Sequence, residues 1–469
     1  MKAVDRVYVA RPDDVAHAYA YWGRRGQYHE IVHEEDEMND QQSTPATDKV
    51  PDSSSKGWFV KDRFGMFIHW GLYSVGAWHP WHKSKKELTT EQYQKYFDHF
   101  DPDLYDPKEW ARQAKAAGMK YVVITTKHHE GFCLFDSKYT EYKSTNTPCG
   151  KDLIAPFVEA FRAEGLKIGF YYSLFDWHHP DFTIDINHPQ RNHPDAEEMN
   201  KGRDMKRYVQ YMRDQITELL TNYGKIDIIW CDFSYVDWEW HGKPGKGRDD
   251  WESVELVKLI RKLAPDILIN DRLDLNDVEG YQPDFICHEQ VIPSSPPIVP
   301  DHAVGWEACH TLAGLWCYIR EEFKWKTHEQ LVNLLSDIVA LGGNLLMNIG
   351  PTARGTFEPR ACEALKVYSD WMTVNGRAIY ETVPSELEAP DGCRFTQKNN
   401  RLYVHIQNWP HKAIHVKKLA GRVVYAQMLH DASEVFWNDV KHDGSVRLEL
   451  PLVRPKINVP VIEVFLKEE

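Results

Sequence analysis

The chain has 469 residues, of which 42% are hydrophobic and 27% charged, a composition typical of a soluble globular protein larger than one ordinary domain. Its formal net charge of −14 argues against nucleic acid or an anionic membrane as the main partner. The eight cysteines are scattered without a Cys-x-x-Cys pair, so we expect reduced thiols and no disulfide framework.

The N-terminal region differs from the rest of the chain. Residues 1–35 predict a short helical segment, and residues 36–56, polar and without periodicity, predict a flexible linker. The first residues carry charges where a secretory signal needs an apolar core, and no apolar run reaches the length of a membrane span. We therefore expect a cytoplasmic protein that does not cross a membrane.

Between residues 57 and 385, short apolar runs ending in polar side chains alternate with stretches of helical period. The runs are 65–71, 121–129, 167–173, 227–233, 266–271, 284–290, 306–311 and 343–350. The helical stretches include 106–118, 203–223, 251–263 and 328–341. Eight such units predict a (β/α)8 barrel with its active site at the carboxyl ends of the strands. Helices are short or missing between the fifth, sixth and seventh runs, so we expect an irregular barrel. The alternative, a doubly wound sheet, would not need polar residues at nearly every strand end.

The pattern changes to short alternating runs separated by turn signals over residues 386–469, for example RLYVHIQNW and VIEVFL. Alternation with a period of two predicts antiparallel strands. The predicted fold is therefore α/β: an irregular (β/α)8 TIM-like barrel followed by a C-terminal antiparallel β-sandwich.

The predicted strand ends bring histidines, aromatic residues and carboxylates to one pocket. No glycine-rich phosphate loop or GxSxG elbow is present, so we expect no organic cofactor. A metal site is an alternative for KHHEGFCLFDSK at residues 127–138. However, His128 and His129 would point in opposite directions if the strand continued through them, and His69 is followed by Trp70 instead of forming a His-x-His pair. We therefore predict no metal.

Two carboxylates across a pocket are what glycoside hydrolysis requires. Asp232 follows an apolar run and would be presented from a rigid strand, as a nucleophile must be, although an aspartate at a strand end can also cap a helix. Glu289 and Glu307 are the candidate acids. The 17 Trp and 23 Tyr residues fit a pocket for a small neutral carbohydrate, or the filling of a large core.

Five motifs, in order, resemble glycoside hydrolase family 29, the retaining α-L-fucosidases: DRFGMFIHWGLYSV, WARQAKAAGMKYVVITTKHHEGFCLFDSKYT, GLKIGFYYS, IIWCDFSY and GGNLLMNIGP. The resemblance spans about residues 57–385. It implies that Asp232 is the nucleophile and that Glu289, in CHEQVIP where relatives often carry TPEQ-x-x-P, is the acid/base, with Glu307 in reserve. The substrate-binding residues predicted with it are His69, His79, Trp81, His128, His129, Tyr171, Trp230, Arg272, Glu307 and Trp316.

Two departures from the family pattern bear on the substrate. Relatives commonly carry His-Glu-Trp where this chain has His79-Pro80-Trp81, so a glutamate that contacts the O3/O4 side of the sugar is replaced by proline, which has no carboxylate. Losing such a charged hydrogen bond typically costs about 1.5–3 kcal/mol. Glu130 also stands where relatives often have Asp.

The sequence therefore predicts an exo-acting retaining α-L-fucosidase. One alternative is an α-L-glycosidase of altered C4 specificity, such as an α-L-glucosidase, and another is a catalytically retired carbohydrate-binding protein. The only predicted partner is a small carbohydrate, and a homo-oligomer is compatible with the sequence.

Overall fold

The computed structural model describes residues 55–468, so the predicted N-terminal helical segment and almost all of the predicted linker lie outside the described residues. A sheet of eight parallel strands forms the centre of the molecule. The strands, in chain order, are β1 Phe64–Ile68, β2 Tyr121–Lys127, β3 Lys167–Ser173, β4 Ile228–Asp232, β5 Leu268–Ile269, β6 Phe285–Glu289, β7 Gly305–Thr311 and β8 Asn344–Ile349. Each of the eight predicted runs overlaps one of these strands, and six of the runs contain the whole strand.

The sheet curls into a nearly closed barrel, with β5 and β6 at its two ends. A parallel bridge between Asn270 and Phe285, and a 2.8 Å hydrogen bond from the Asp284 amide to the Ile269 carbonyl, join these two strands. Between β5 and β7 the described chain contains no α-helix, only the 3₁₀ turn Asp271–Leu273. The prediction of a barrel that is irregular at this point is therefore confirmed.

Several of the helices around the barrel begin where the sequence supplies a capping residue. Asp106 caps the helix that starts at Pro107, and Thr89 and Thr327 each form a capping box with a glutamine. The α-helices are Trp58–Asp62, Tyr73–Gly76, His82–Lys85, Thr90–Asp98, Pro107–Ala116, Ile154–Ala163, Ala196–Asn200, Met205–Asn222, Ser253–Leu263, His328–Ala340 and Pro359–Asn375. Further short elements are the 3₁₀ turns Ser144–Asn146 and Gly376–Ala378 and a hairpin of Glu239–Trp240 with Lys243–Pro244.

The amino-terminal end of the barrel is filled with aromatic side chains. Phe59, from the helix before β1, lies 4.8 Å from the ring of Phe285 and 5.9 Å from that of Tyr121, measured between ring centroids. Val60 joins the same cluster of buried residues inside the barrel. Because the amino-terminal end of the barrel is packed, we expect the pocket at the carboxyl ends of the strands.

The C-terminal domain consists of two antiparallel sheets, one of five strands and one of three, around a separate apolar core. Its strands are β9 Val383–Pro384, β10 Cys393–Lys398, β11 Arg401–Ile406, β12 Ala413–Val416, β13 Val423–Met428, β14 Trp437–Val440, β15 Ser445–Glu449 and β16 Val461–Leu466. The predicted sandwich is confirmed, with β9 and β10 as additional strands. Hydrogen bonds such as that from Trp371 Nε1 to the Val459 carbonyl, 3.1 Å, join it to the barrel helices.

Two predictions about chemistry can be compared with the described part of the chain. All eight cysteines lie within it and are free thiols, as expected. Between residues 55 and 468, none of the helices combines the length and apolar character needed to cross a membrane.

Candidate active site

The polar side chains at the carboxyl ends of the barrel strands meet in one pocket. β4 ends at Asp232, β6 ends at Glu289, and His69 directly follows β1. Arg272 lies in the 3₁₀ turn Asp271–Leu273 that follows β5 in place of a helix. Because the parallel strands of a barrel end at the same rim, these residues come together although they are far apart in sequence.

Asp232 is surrounded by polar side chains from three different parts of the chain. The Tyr171 hydroxyl donates a 2.7 Å hydrogen bond to Oδ2, His129 Nε2 lies 4.0 Å from the same oxygen, and Arg272 Nη1 lies 3.9 Å from Oδ1. Burial raises the pKa of the Asp232 carboxyl to about 7, and the nearby charge of Glu289 acts in the same direction. The charge of Arg272 and the hydrogen bond from Tyr171 act in the opposite direction and lower this pKa. These three partners are side chains of the pocket, so the Asp232 carboxylate faces the pocket, which a helix cap would not do.

Arg272 brings the second carboxylate next to the first. Its Nη2 atom donates a 3.2 Å hydrogen bond to Oε2 of Glu289, and its guanidinium lies 5.4 Å above the ring of Trp230. The Glu289 side chain is 24% exposed, against 13% for Asp232. One arginine thus faces two carboxylates, of which the more exposed can reach a leaving group or water.

Glu307 lies deeper than the sequence pattern suggested. We expected it near a strand end, but β7 continues to Thr311, and Glu307 is 1% exposed inside the barrel. Its carboxylate accepts hydrogen bonds from the Tyr121 hydroxyl, 2.6 Å, and from Trp230 Nε1, 3.2 Å. Burial raises its pKa to about 7. Glu307 therefore holds the Trp230 ring by a hydrogen bond inside the barrel, and it does not line the open part of the pocket.

His128 and His129 lie side by side in the pocket wall. The strand ends at Lys127, and a turn follows in which the Gly131 amide donates to the His128 carbonyl at 3.0 Å. The two imidazole centroids are 4.0 Å apart, and the His128 ring stacks on Tyr171 at 5.7 Å. The expectation of opposite directions applied only to a continuing strand, and it fails because the strand ends one residue earlier.

The pocket histidines are uncharged at neutral pH. Burial lowers the pKa of His69 and His129 well below the usual value, with a further contribution from neighbouring histidines, and lowers the pKa of His128 to about 3. A neutral imidazole has one N–H donor and one acceptor nitrogen. Such rings suit the hydroxyl groups of a neutral carbohydrate, which also both donate and accept.

Two tryptophans and His79 complete the predicted set. The ring of Trp316 lies 5.1 Å from that of His69, and Trp81 lies 5.1 Å from His129. His79 Nδ1 accepts a 2.8 Å hydrogen bond from the Trp81 amide across Pro80, and burial lowers the pKa of His79 to about 3. His79 and Trp81 therefore present a neutral imidazole and an aromatic ring on either side of Pro80.

The described residues 55–468 contain no group of three or more His, Cys, Asp or Glu side chains arranged to hold a metal ion. Instead, each pocket histidine directs its Nδ1 atom to a protein oxygen, of Asn348, Glu130 or Ser173.

Sequence reasoning did not single out three features of the site: the support of His129 by Ser173, the contact of Glu130 with His128, and the backbone at Phe233. Phe233 follows Asp232 and has a φ angle of 99°, a backbone conformation that residues other than glycine rarely adopt. The His-x-Glu spacing of His128 and Glu130 was a signal that could have been used, whereas nothing in the sequence marks the backbone at Phe233.

The chain is similar to alpha-L-fucosidases at the level of a family model, of individual sequences and of solved structures. A family model described as alpha-L-fucosidase matches residues 30–377. Tissue alpha-L-fucosidase of Mus musculus is 29% identical over 444 residues, which cover 88% of this chain and 92% of the relative.

Among solved structures, alpha-L-fucosidase isoenzyme 1 from Paenibacillus thiaminolyticus is 42% identical with a TM-score of 0.81, covering 88% of this chain and 98% of that one. A family 29 alpha-L-fucosidase from Bacteroides thetaiotaomicron is 28% identical with a TM-score of 0.76, covering 90% and 98% of the two chains. That structure holds a trapped covalent intermediate in complex with 2-fluoro-fucosyl fluoride.

Proposed function

This chain belongs to the alpha-L-fucosidase family, glycoside hydrolase family 29, and from that premise we propose that it is an exo-acting retaining α-L-fucosidase in which Asp232 and Glu289 carry the reaction. The observation that carries the proposal is the placement of both carboxylates against Arg272, with Nη1 3.9 Å from Asp232 and Nη2 3.2 Å from Glu289. The trapped covalent intermediate of the related bacterial enzyme supports a retaining mechanism.

In the first step, Asp232 Oδ attacks the anomeric carbon while Glu289 gives its proton to the departing glycosidic oxygen. The bond to the aglycone breaks as the glycosyl–aspartate ester forms. In the second step, Glu289 takes a proton from water, the water oxygen attacks the same carbon, and Asp232 leaves. Two inversions give net retention, and the order of roles follows from the greater exposure of Glu289.

Glu289 is favoured over Glu307 as the acid/base because of their surroundings. The Glu307 carboxylate is enclosed by Tyr121 and Trp230 and is 1% exposed. A general acid must reach the leaving oxygen within hydrogen-bond distance, directly or through one water. Glu307 would have to break two buried hydrogen bonds to do so.

The sugar is proposed to bind among His69, His128, His129, Tyr171 and Trp81. A glutamate that relatives commonly carry is replaced by Pro80, so a second candidate substrate is an L-hexoside with an equatorial O4, such as an α-L-glucoside. The two candidates differ in the configuration at C4 and in the C6 hydroxyl, which fucose lacks, and they require the same chemistry at C1.

The test is a side-by-side assay of aryl α-L-fucoside, galactoside, glucoside and rhamnoside, with NMR detection of the first-formed anomer. We expect the fucoside to have the highest kcat/KM and to release α-L-fucose first. A higher kcat/KM for the glucoside would assign the altered specificity, and release of the β-anomer would contradict the retaining mechanism. Asp232→Asn should abolish turnover of every substrate without changing the circular dichroism spectrum.

A further inference from the structure

Two of the three pocket histidines have their tautomers fixed by groups that do not titrate. His69 Nδ1 lies 2.6 Å from Oδ1 of Asn348, an amide oxygen that only accepts. His129 Nδ1 lies 2.6 Å from Oγ of Ser173, whose own hydrogen is given to the Phe175 carbonyl at 3.1 Å. Both neutral rings therefore carry their hydrogen on Nδ1 and offer Nε2 as an acceptor.

His128 differs because its partner is a carboxyl group. Glu130 folds back over the turn that follows β2, and its Oε2 lies 3.3 Å from His128 Nδ1. The two residues are 1% and 4% exposed, respectively. Within residues 55–468 the Nε2 atom of His128 makes no hydrogen bond, and the ring lies between His129 and Tyr171 in the pocket. What Nε2 offers to a ligand thus depends on the proton of Glu130.

We propose that Glu130 is a positioning residue whose proton sets the tautomer of His128, and thereby decides whether His128 Nε2 donates to or accepts from the bound sugar. The inference rests on the proposed function, because it assigns a sugar-binding role to His128. When Glu130 is protonated, its O–H donates to Nδ1 and the ring carries its hydrogen on Nε2. When Glu130 loses its proton, its oxygen accepts from Nδ1–H and Nε2 becomes an acceptor. The pair loses one proton in total.

The surroundings of Glu130 favour the protonated form at neutral pH. Burial raises the pKa of its carboxyl to about 8, against the opposing effect of a backbone hydrogen bond and of nearby lysines. Its Oε1 atom has no hydrogen-bond partner within the described residues, and an unpartnered buried carboxylate oxygen is costly when charged. The charged and titratable groups that face it from neighbouring elements are Lys83, Lys127, Asp176, Tyr73, Tyr93, Tyr142 and Cys317.

We expect sugar binding to weaken as pH rises through the pKa of Glu130. The raised pKa means that Glu130 is protonated below about pH 8, so His128 supplies a donor beside two rings that supply acceptors. As pH rises through that value, the donor is lost and the sugar binds less tightly. If only the donor form binds, the apparent Kd rises by up to about tenfold per pH unit above the pKa.

The direct test is the ¹⁵N spectrum of the histidine side chains in the full-length protein, which distinguishes the two tautomers without any ligand. Between pH 6 and pH 10, we expect His128 to change from the Nε2–H to the Nδ1–H form, while His69 and His129 stay Nδ1–H throughout. In Glu130→Gln the His128 form should not change with pH. A His128 tautomer that is constant in the wild-type protein would overturn the inference, whatever the variant does.

The functional test measures binding of L-fucose by calorimetry in Asp232→Asn/Glu289→Gln, where neither catalytic carboxyl titrates. We expect the Kd to rise above about pH 8 and to lose this rise when Glu130→Gln is added. Glu218→Gln is the matched control, because this buried glutamate binds Ser137 Oγ and the Lys138 amide in the same segment but does not touch His128. It should leave the rise unchanged. An equal pH dependence with and without Glu130→Gln would overturn the inference, whereas no L-fucose binding at any pH would contradict the proposed function.

Discussion

The Tyr171 hydroxyl donates a 2.7 Å hydrogen bond to Oδ2 of Asp232, and this bond connects the wall of the pocket to its central carboxylate. The phenol is held in place because its ring stacks on Trp230 at 5.7 Å, with 19° between the planes. A donor fixed in this way favours the charged form of the carboxylate, opposing the burial that raises its pKa to about 7. The form that can attack a sugar is therefore kept available close to neutral pH.

Tyr171→Phe removes this hydrogen bond and should shift the acid limb of the kcat/KM profile to higher pH. Asp232 must be ionised to attack, so activity is lost as pH falls through its pKa, and loss of the Tyr171 bond raises that pKa. A lost hydrogen bond to a charged group costs about 1.5–3 kcal/mol, so kcat/KM at neutral pH should fall about 10- to 100-fold. Initial rates on an aryl α-L-fucoside from pH 4 to pH 9 measure both effects.

Tyr172→Phe is the matched control, because Tyr172 is the next residue of β3 and points to the other side of the strand. Its hydroxyl donates to Gln215 Oε1 at 2.7 Å, away from the pocket. We expect lower thermal stability with an unchanged acid limb. An equal shift of the acid limb in both variants would show that the Tyr171 bond does not tune Asp232.

Glu289→Gln and Glu307→Gln should differ in how they respond to the leaving group. Loss of the general acid matters most for a poor leaving group, so Glu289→Gln should hydrolyse a 2,4-dinitrophenyl fucoside far better than a fucosyl disaccharide, relative to wild type. Glu307→Gln should reduce both by the same factor. It should also lower the free energy of unfolding by about 1–3 kcal/mol, because Tyr121 and Trp230 donate to different carboxylate oxygens and the amide nitrogen that replaces one of these cannot accept a hydrogen bond. Leaving-group dependence in Glu307→Gln alone would reverse the assignment.

His405 should make the protein less stable in acid, independently of the active site. This histidine of β11 is fully buried, its Nε2 lies 2.9 Å from Thr396 Oγ1, and burial lowers its pKa to about 3. The unfolded chain takes up a proton below about pH 6.5, so this contribution to stability is lost as pH falls, by about 1.4 kcal/mol per unit.

The comparison of wild type with His405→Gln tests this prediction. The variant should be the less stable protein at pH 7.5, because it loses a buried hydrogen bond, and the gap in melting temperature should narrow as pH falls from about 6.5 to pH 5. A gap that does not change with pH would mean that another group causes the acid sensitivity.

The barrel could be predicted from sequence because its strands are short apolar runs that end at or close to polar residues, as at Asp232 and Glu289. The same rule places Glu307 wrongly, since its run contains further residues of β7 and the polar side chain lies inside the barrel. The strand Cys393–Lys398 was not predicted, because its alternation is diluted by arginine, glutamine and lysine.

The hydrogen-bond partners of the histidines could not be predicted from a strand pattern. Ser173 reaches His129 from β3, and Asn348 reaches His69 from β8, so these contacts depend on how neighbouring strands are aligned. The turn at His128 and Glu130 is likewise set by where β2 ends, and periodicity leaves strand ends uncertain by one or two residues.

The proposed mechanism requires Asp232 to form a covalent bond to the sugar. Incubation with 2-fluoro-fucosyl fluoride, followed by proteolysis and mass spectrometry, tests it most directly, because the fluorine at C2 slows release of the intermediate. We predict one 2-fluorofucosyl group per chain, attached to Asp232 and absent in Asp232→Asn. A label on another carboxylate, or no label in an enzyme that hydrolyses fucosides normally, would contradict this mechanism.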